Sequence, residues 1–270
     1  MELNYPEKNS RIVADIIEVG KDFSVGHNVD IKVRGTFKVG DYSRFGNDVT
    51  INAENVIIGD HFLHMTPGLK VGGGGSQFKD ANLTIGDRCV IHNNYLNLAM
   101  AITLGNDVGL SPDVDFLTHG FWESMLEGFP VKYGKIDIGD HVIIGQRSFI
   151  MMDVSIAPYS VIGANSTVTK SLNIPRAIYA GNPARLIREI AEPSLMTKKN
   201  MFNNILEKYV AIAKPKQIEI KYPEIFLGDV YINVETKTIF GKENLESDKL
   251  RDFLRRFGIK IYSARPFQSL

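Results

Sequence analysis

Six histidines and a single cysteine are the side chains best suited to proton or group transfer in this 270-residue chain. His27, His61 and His141 follow glycines at what read as turns, where a solvated polar residue is the expected role. His64 and His92 lie beside aliphatic positions and suit either hydrogen-bonded structural groups or the lining of a cleft. His119 sits in a different kind of stretch, SPDVDFLTHGFWESMLEGFPVKYGK, rich in aromatic and acidic residues. Function collects in such stretches. An imidazole titrating near neutrality can take a proton from a substrate and give it back. Asp113 or Asp115 could orient it, although either could equally be a turn residue. Cys89 offers a covalent route, but it occupies a compact place after Ile85 where a small side chain is needed for packing.

The elements that must position these groups repeat every six residues. Ile138, Ile144, Ile150, Ile156, Ile162, Val168 and Ile174 form one unbroken ladder. The next residue is often small (Gly139, Gly145, Ala157, Gly163), and the fourth after each rung is compact (Val142, Ser148, Val154, Ser160, Ser166). A helix would scatter such a pattern, and a simple strand would repeat every second residue. A chain that runs extended, turns and runs again lays each coil on the last, with the rungs stacked as the core. Gly after a rung allows backbone angles closed to other residues, and Asp or Asn after it suits a turn. The beat also carries Val13, Val19, Val25, Ile31 and Phe37, then Val39, Phe45, Ile51 and Ile57, then Ile58, Ile85, Ile91, Leu104 and Leu110. Three hexads per coil would give roughly eight coils.

Residues 1–12 read as a lead-in or cap, 13–190 as the coil domain, and 191–270 as a separate tail. The coil is interrupted at 65–80, with four glycines at Gly72 to Gly75, and at 111–135. The first interruption has no Gly-Lys-Ser/Thr and reads as a flexible excursion rather than a phosphate loop. In the tail, Met201, Ile205, Tyr209 and Ala213, with Leu206 and Val210 beside them, suit an amphipathic helix over 193–214. Alternation over 217–222 and at Val230, Ile232 and Val234 predicts strands, with a turn at Glu235 to Lys237 and a return strand to Phe240. Ser247 or Asp248 would cap a helix through Phe257, before a last strand over 259–262. Arg251, Arg255 and Arg256 read as a solvated basic face.

The 31 basic and 31 acidic residues cancel, which gives no support to a nucleic-acid partner. One cysteine excludes an internal disulfide framework, no run reaches the length of a membrane span, and the N-terminus lacks an apolar signal core. A cytoplasmic location is the expectation.

Residues 138–190, with IGANSTVTK followed by AGNPARLIR, resemble the left-handed β-helix hexapeptide-repeat acyltransferases, sugar O-acetyltransferase branch. LGNDVGLSPDVDFLTH fits where such enzymes place a catalytic histidine. The resemblance covers residues 13–190. It implies a mainly β fold, a left-handed parallel β-helix, here with a small C-terminal α+β extension. The implied activity is acetyl-CoA-dependent transfer to a sugar, sugar-nucleotide or glycan-precursor hydroxyl in surface-polysaccharide synthesis, by a homotrimer with no metal. His119 would be the general base. Gly145, Gln146 and Ala164 would touch the pantetheine arm, and Lys170, Arg185 and Arg188 the coenzyme phosphates. Trp122, Glu123, Asn93 and Asn94 would meet the acceptor, since aromatic faces and amide or carboxylate groups suit sugar rings. Members often have an Asp before the histidine, where this chain has Thr118, and a Trp two residues before Gly145, where it has Ile143. Transfer to an amino sugar, or a non-catalytic β-helix scaffold, are the alternatives. A metal-dependent β-helix enzyme such as a γ-class carbonic anhydrase would need three convergent histidines.

Overall fold

Short extended runs separated by tight turns stack into three parallel sheets, the faces of a prism. The computed structural model describes residues 1–265, and the prism forms the first of two units, Met1–Ile190. One face runs from Val29–Val33 through Tyr95–Asn97 to Thr167–Val168, the second from Ser24–Val25 through Leu63–His64 to Val161–Ile162, and the third from Ile16–Val19 through Asn82–Ile85 to Val154–Ile156. Rungs of successive coils pair directly: Ile138 with Ile156, Ile144 with Ile162, and Ile150 with Val168. These six side chains are at most 3% exposed. Burying an aliphatic side chain contributes about 1.5–3 kcal/mol, so the stacked column is the core.

The ladder departs from the expected register at identifiable places. Ile174 is 38% exposed. Its N–H donates to the Tyr179 hydroxyl, which donates in turn to its carbonyl, and Tyr179 and Leu172 fill the core beyond Val168. Val19 is also exposed, because Ile16–Val19 is the edge strand of its sheet. Ile57 points outward between the buried Val56 and Ile58. Ile12, rather than Val13, is fully buried in the first parallel strand.

The small residue after each rung has a different purpose from the one expected. Asp41, Asp60, Asp87, Asn106 and Asp140 each use Oδ1 to accept a backbone N–H from the equivalent turn one coil earlier, at 2.6–2.9 Å. A Cβ on Gly40 would lie 2.2 Å from the Asp60 Oδ1, and one on Gly59 equally close to that of Asp87. These glycines allow close approach. The left-handed backbone falls two residues later, on Tyr42, His61, Arg88, Asp107, His141 and Tyr159.

Residues 1–12 begin with Glu2–Tyr5, which pairs antiparallel with Ser10–Val13; that strand in turn joins Val29–Val33 in parallel. Both excursions are shorter than the sequence implied. Lys70–Gly72 and Asp115–Leu117 are ladder strands of the prism, leaving 73–81 and 118–135 as the departures.

The second unit begins at Ala191 and has its own core, built from Phe202, Leu206, Tyr209, Ile225, Ile232, Leu250 and Leu254 among others. Helix Leu195–Ala213 buries Phe202, Leu206 and Tyr209. Of the predicted apolar positions Leu206 and Tyr209 are buried, whereas Met201 is exposed and Phe202 takes the place expected of it. A four-stranded antiparallel sheet follows, including a strand Glu224–Leu227 that the alternation did not reveal. The second helix, Leu245–Arg255, is capped by Asn244, with Ser247 as the reciprocal partner of a capping box rather than the cap. In place of the predicted last strand, Tyr262 forms an isolated bridge to Thr238 and its hydroxyl accepts from Lys237. The expected basic face is partly buried: Arg251 pairs with Glu243 and Asp248, and Arg255 and Arg256 with Asp252. The end of the predicted tail, 266–270, lies outside the described residues.

Candidate active site

The two excursions converge at His119. Thr118, the last residue before the chain leaves the prism, is fully buried. Its hydroxyl donates to the Asn97 carbonyl at 2.8 Å and accepts from the N–H groups of Ala99 and Met100. Its own carbonyl accepts from Gly134 N–H, closing a short hairpin in which His119 lies directly opposite Tyr133. The imidazole stacks on Tyr133, with centroids 5.6 Å apart and planes 15° apart, and packs against Phe121 at 5.5 Å. The glycine run of the other excursion approaches its edge: a Cβ on Gly74 would meet His119 Nε2 at 3.5 Å. Phe78 contacts Tyr133 at 6.2 Å, and Arg34 donates to the Ser76 and Phe78 carbonyls. The aromatic residues and glycines that make this enclosure were not assigned to the site by residue type alone.

Among the described residues, His119 Nδ1 is buried without a hydrogen-bond partner, so neither aspartate orients the ring. Asp113 is a left-handed turn residue that accepts from Asn93. Asp115 lies in a prism strand with its carboxyl pushed above the usual range by burial. Rings take the place of a carboxylate in holding the imidazole. Burial pushes its pKa below the ordinary 6.5, and the imidazolium, with a second N–H lacking an acceptor, is disfavoured in the same direction.

Of the expected acceptor residues, Trp122 is 91% exposed and Glu123 is exposed too. Asn94 is buried in the scaffold, donating to the Ser111 carbonyl and accepting from His92 N–H. That corrects its assignment to the acceptor. Among the described residues, the buried Oδ1 of Asn93 has no partner.

Cys89 is a packing residue. Its thiol lies 3.1 Å from the Gly105 carbonyl, the arrangement in which Ser43 meets Gly59 and Ser148 meets Gly163. Among the described residues, no three His, Cys, Asp or Glu side chains converge to hold a metal ion.

His64 and His92 belong to the scaffold as well. His64 Nδ1 accepts from Gly46 N–H, and Nε2 donates to the Thr66 carbonyl at 2.7 Å; Thr66 Oγ1 bonds His92 Nδ1. Burial pushes the His64 pKa from the ordinary 6.5 to about 4. Above pH 6.5 both folded and unfolded chains hold this group neutral. Below it the unfolded chain binds the proton first, so stability falls by up to about 3 kcal/mol on going to pH 4. In urea titrations His64→Asn is expected to weaken the protein at pH 7 and to flatten this acid loss; an unchanged acid slope would refute the assignment.

The coils that follow the His119 excursion carry the expected donor residues. Gly145 has no room for a Cβ, which would lie 2.5 Å from Ala164 N. Gln146, Ala164 and Lys170 are exposed. Strand Ala177–Ala180 pairs antiparallel with Arg185–Glu189 through a bulge. The bulge sets Arg185 opposite Ala180 and Arg188 opposite Ile178. Two partners two residues apart share a face, so both guanidinium groups lie on one side, where unbroken pairing would have separated them. Ile143, Val161 and Ile178 form an outward column leading to Arg188.

No protein-family model matches the chain. It is 35% identical over 106 residues to the galactoside O-acetyltransferase of Escherichia coli K12, covering 36% of this chain and 52% of that protein. It is 36% identical over 99 residues to a putative acetyltransferase of Schizosaccharomyces pombe, covering 36% and 46%. Over about a third of its length the chain is similar in sequence to acetyltransferases. Its prism of stacked parallel sheets is a parallel β-helix. It spans about half the length of these curated relatives. Among solved structures, a hexapeptide-repeat containing acetyltransferase from Vibrio cholerae is 26% identical, covering 49% of this chain and 73% of that one with a TM-score of 0.42.

Proposed function

We propose that this hexapeptide-repeat protein is an O-acetyltransferase that moves an acetyl group from acetyl-CoA to a hydroxyl of a sugar or glycan precursor. The observation that carries this reading is His119, packed against Phe121 and Tyr133 with its Nε2 edge turned to Gly74. A neutral imidazole there takes the hydroxyl proton on Nε2 as the oxygen bonds to the acetyl carbon. The carbon–sulfur bond breaks, and the imidazolium returns the proton to the departing thiolate. The base-competent tautomer carries its hydrogen on the unpaired Nδ1, at a cost of about 1–3 kcal/mol. General base catalysis contributes about 10²–10⁴-fold, or roughly 3–5 kcal/mol, so the base still gains.

The donor fits along the coils that follow the His119 excursion. Gly145 and the exposed Gln146 and Ala164 would meet an amide-rich pantetheine arm, and Arg185 and Arg188 share a face suited to phosphates. Lys170 is an exposed cation at the same end of the repeat. A homotrimer would complete such a cleft between copies, and a cytoplasmic role in surface-polysaccharide synthesis suits a soluble acetyl donor. Among the described residues no helix is long and apolar enough to cross a membrane.

The test is thiol release from acetyl-CoA across sugars, sugar nucleotides and amino sugars, with the product analysed by mass spectrometry. An ester supports the reading, an amide product moves it to nitrogen, and a complete absence of coenzyme binding favours a scaffold. The lowered His119 pKa carries a sign: the base stays neutral below pH 6.5, so the acid limb of kcat/KM is expected below that value. A limb at or above 6.5, lost in no His119 variant, would assign the titration elsewhere.

A further inference from the structure

Of the four consecutive glycines, three are demanded by the fold. Gly72, Gly73 and Gly75 have φ of +126°, +90° and +88°, and a Cβ would lie 2.9 Å from the Asn52 carbonyl, 2.4 Å from the Tyr95 hydroxyl and 2.4 Å from the Ala99 Cβ respectively. Gly74 is different. Its φ lies outside the left-handed region, and the only atoms a Cβ would approach are His119 Nε2 at 3.5 Å and Cε1 at 3.6 Å. Those are ordinary contact distances, so the backbone and the packing both admit alanine there. What alanine would remove is clearance at one edge of the imidazole.

We infer that Gly74 is a specificity-determining residue: its bare Cα keeps the Nε2 edge of His119 open and sets the size of the acceptor that can reach it. This rests on the reading of His119 as the base. A hydroxyl must come within hydrogen-bond reach of Nε2 to lose its proton, and a methyl group 3.5 Å away occupies part of the approach. Phe121 and Tyr133 cluster beside the ring, their own centroids 6.0 Å apart, and Nδ1 is buried, so Nε2 is the ring nitrogen left for a hydroxyl to reach. The glycine strap is pinned beyond this point by Arg34, through the Ser76 and Phe78 carbonyls, which limits its retreat from an added methyl. A small alcohol passes such a constriction more readily than a pyranose ring.

The full chain and its Gly74→Ala variant would be compared by two readouts. In the first, diethyl pyrocarbonate modifies accessible neutral imidazoles at pH 7, and peptide mass spectrometry reports His119 against the exposed His27 in the same sample. Modification of His119 is expected to slow by about tenfold while His27 is unchanged, as steric exclusion from a constrained approach requires. Equal modification in both proteins would overturn the inference without needing a known acceptor. In the second, thiol release from acetyl-CoA is measured with glycerol, a methyl hexopyranoside and a disaccharide. The loss of kcat/KM is expected to grow with acceptor size, at an unfolding temperature matching wild type; a uniform loss, or none, would count against it. His119→Ala is run alongside. Full activity in that variant would sink the base while leaving the labelling result to judge the clearance at Gly74.

Discussion

His119→Ala is expected to lower acetyl transfer by about 10²–10⁴-fold while leaving donor binding and the unfolding temperature near wild type. The ring lies outside the stacked core, in a hairpin that departs from the prism, so its removal takes away stacking on Tyr133 and little else of the fold. Cys89 cannot substitute, because its thiol is buried against the Gly105 carbonyl. No described carboxylate bonds the imidazole, so Asp113→Asn and Asp115→Asn are expected to cost far less than the alanine variant. Steady-state thiol release measures all three. Parity between His119→Ala and wild type would end the assignment, and added imidazole restoring the rate would strengthen it.

Thr118→Val carries the second large effect, through structure. Valine matches threonine in shape but leaves the Asn97 carbonyl and the Ala99 and Met100 N–H groups without the hydroxyl that joins them. Buried polar groups left unpaired cost about 1–3 kcal/mol each and do not simply add, so a loss of about 3–4 kcal/mol is expected. The same change loosens the point from which the His119 hairpin springs, and misplacing a base by an ångström can lower kcat by up to about 10²-fold. Thr118→Ser keeps the hydroxyl and should recover most of both losses. Chemical denaturation and kcat measured on the same samples separate the two contributions. A valine variant as stable as wild type would show that the hydroxyl holds nothing together.

Thr118 also shows where reading by residue type stops. Residue type points to Asp113 and Asp115 as partners of His119 and passes over the threonine beside it. Both are close in sequence. In space one belongs to a turn with Asn93 and the other to a prism strand. The rings that hold the base, Phe121 and Tyr133, come from the two ends of one excursion, and hairpin pairing alone makes them neighbours. Asn94 was chosen as a chemically suitable amide, yet its hydrogen bonds are used up inside the scaffold.

The sequence by itself determined the coil, its two interruptions and its core, because a six-residue period is a local property and each rung is buried by its own repeat. It also marked His119, Gly145, Arg185 and Arg188 as candidates. Tertiary structure decided what stands beside them. The bulge that brings Arg185 and Arg188 to one face depends on pairing across a turn, and the meeting of Gly74 with His119 joins excursions from different coils. Neither follows from spacing, since residues far apart in the chain become neighbours only when coil is laid on coil. The glycines record the difference: Gly40 and Gly59 answer to the turn on the next coil, Gly72, Gly73 and Gly75 to their own backbone and neighbours, and Gly74 to one imidazole.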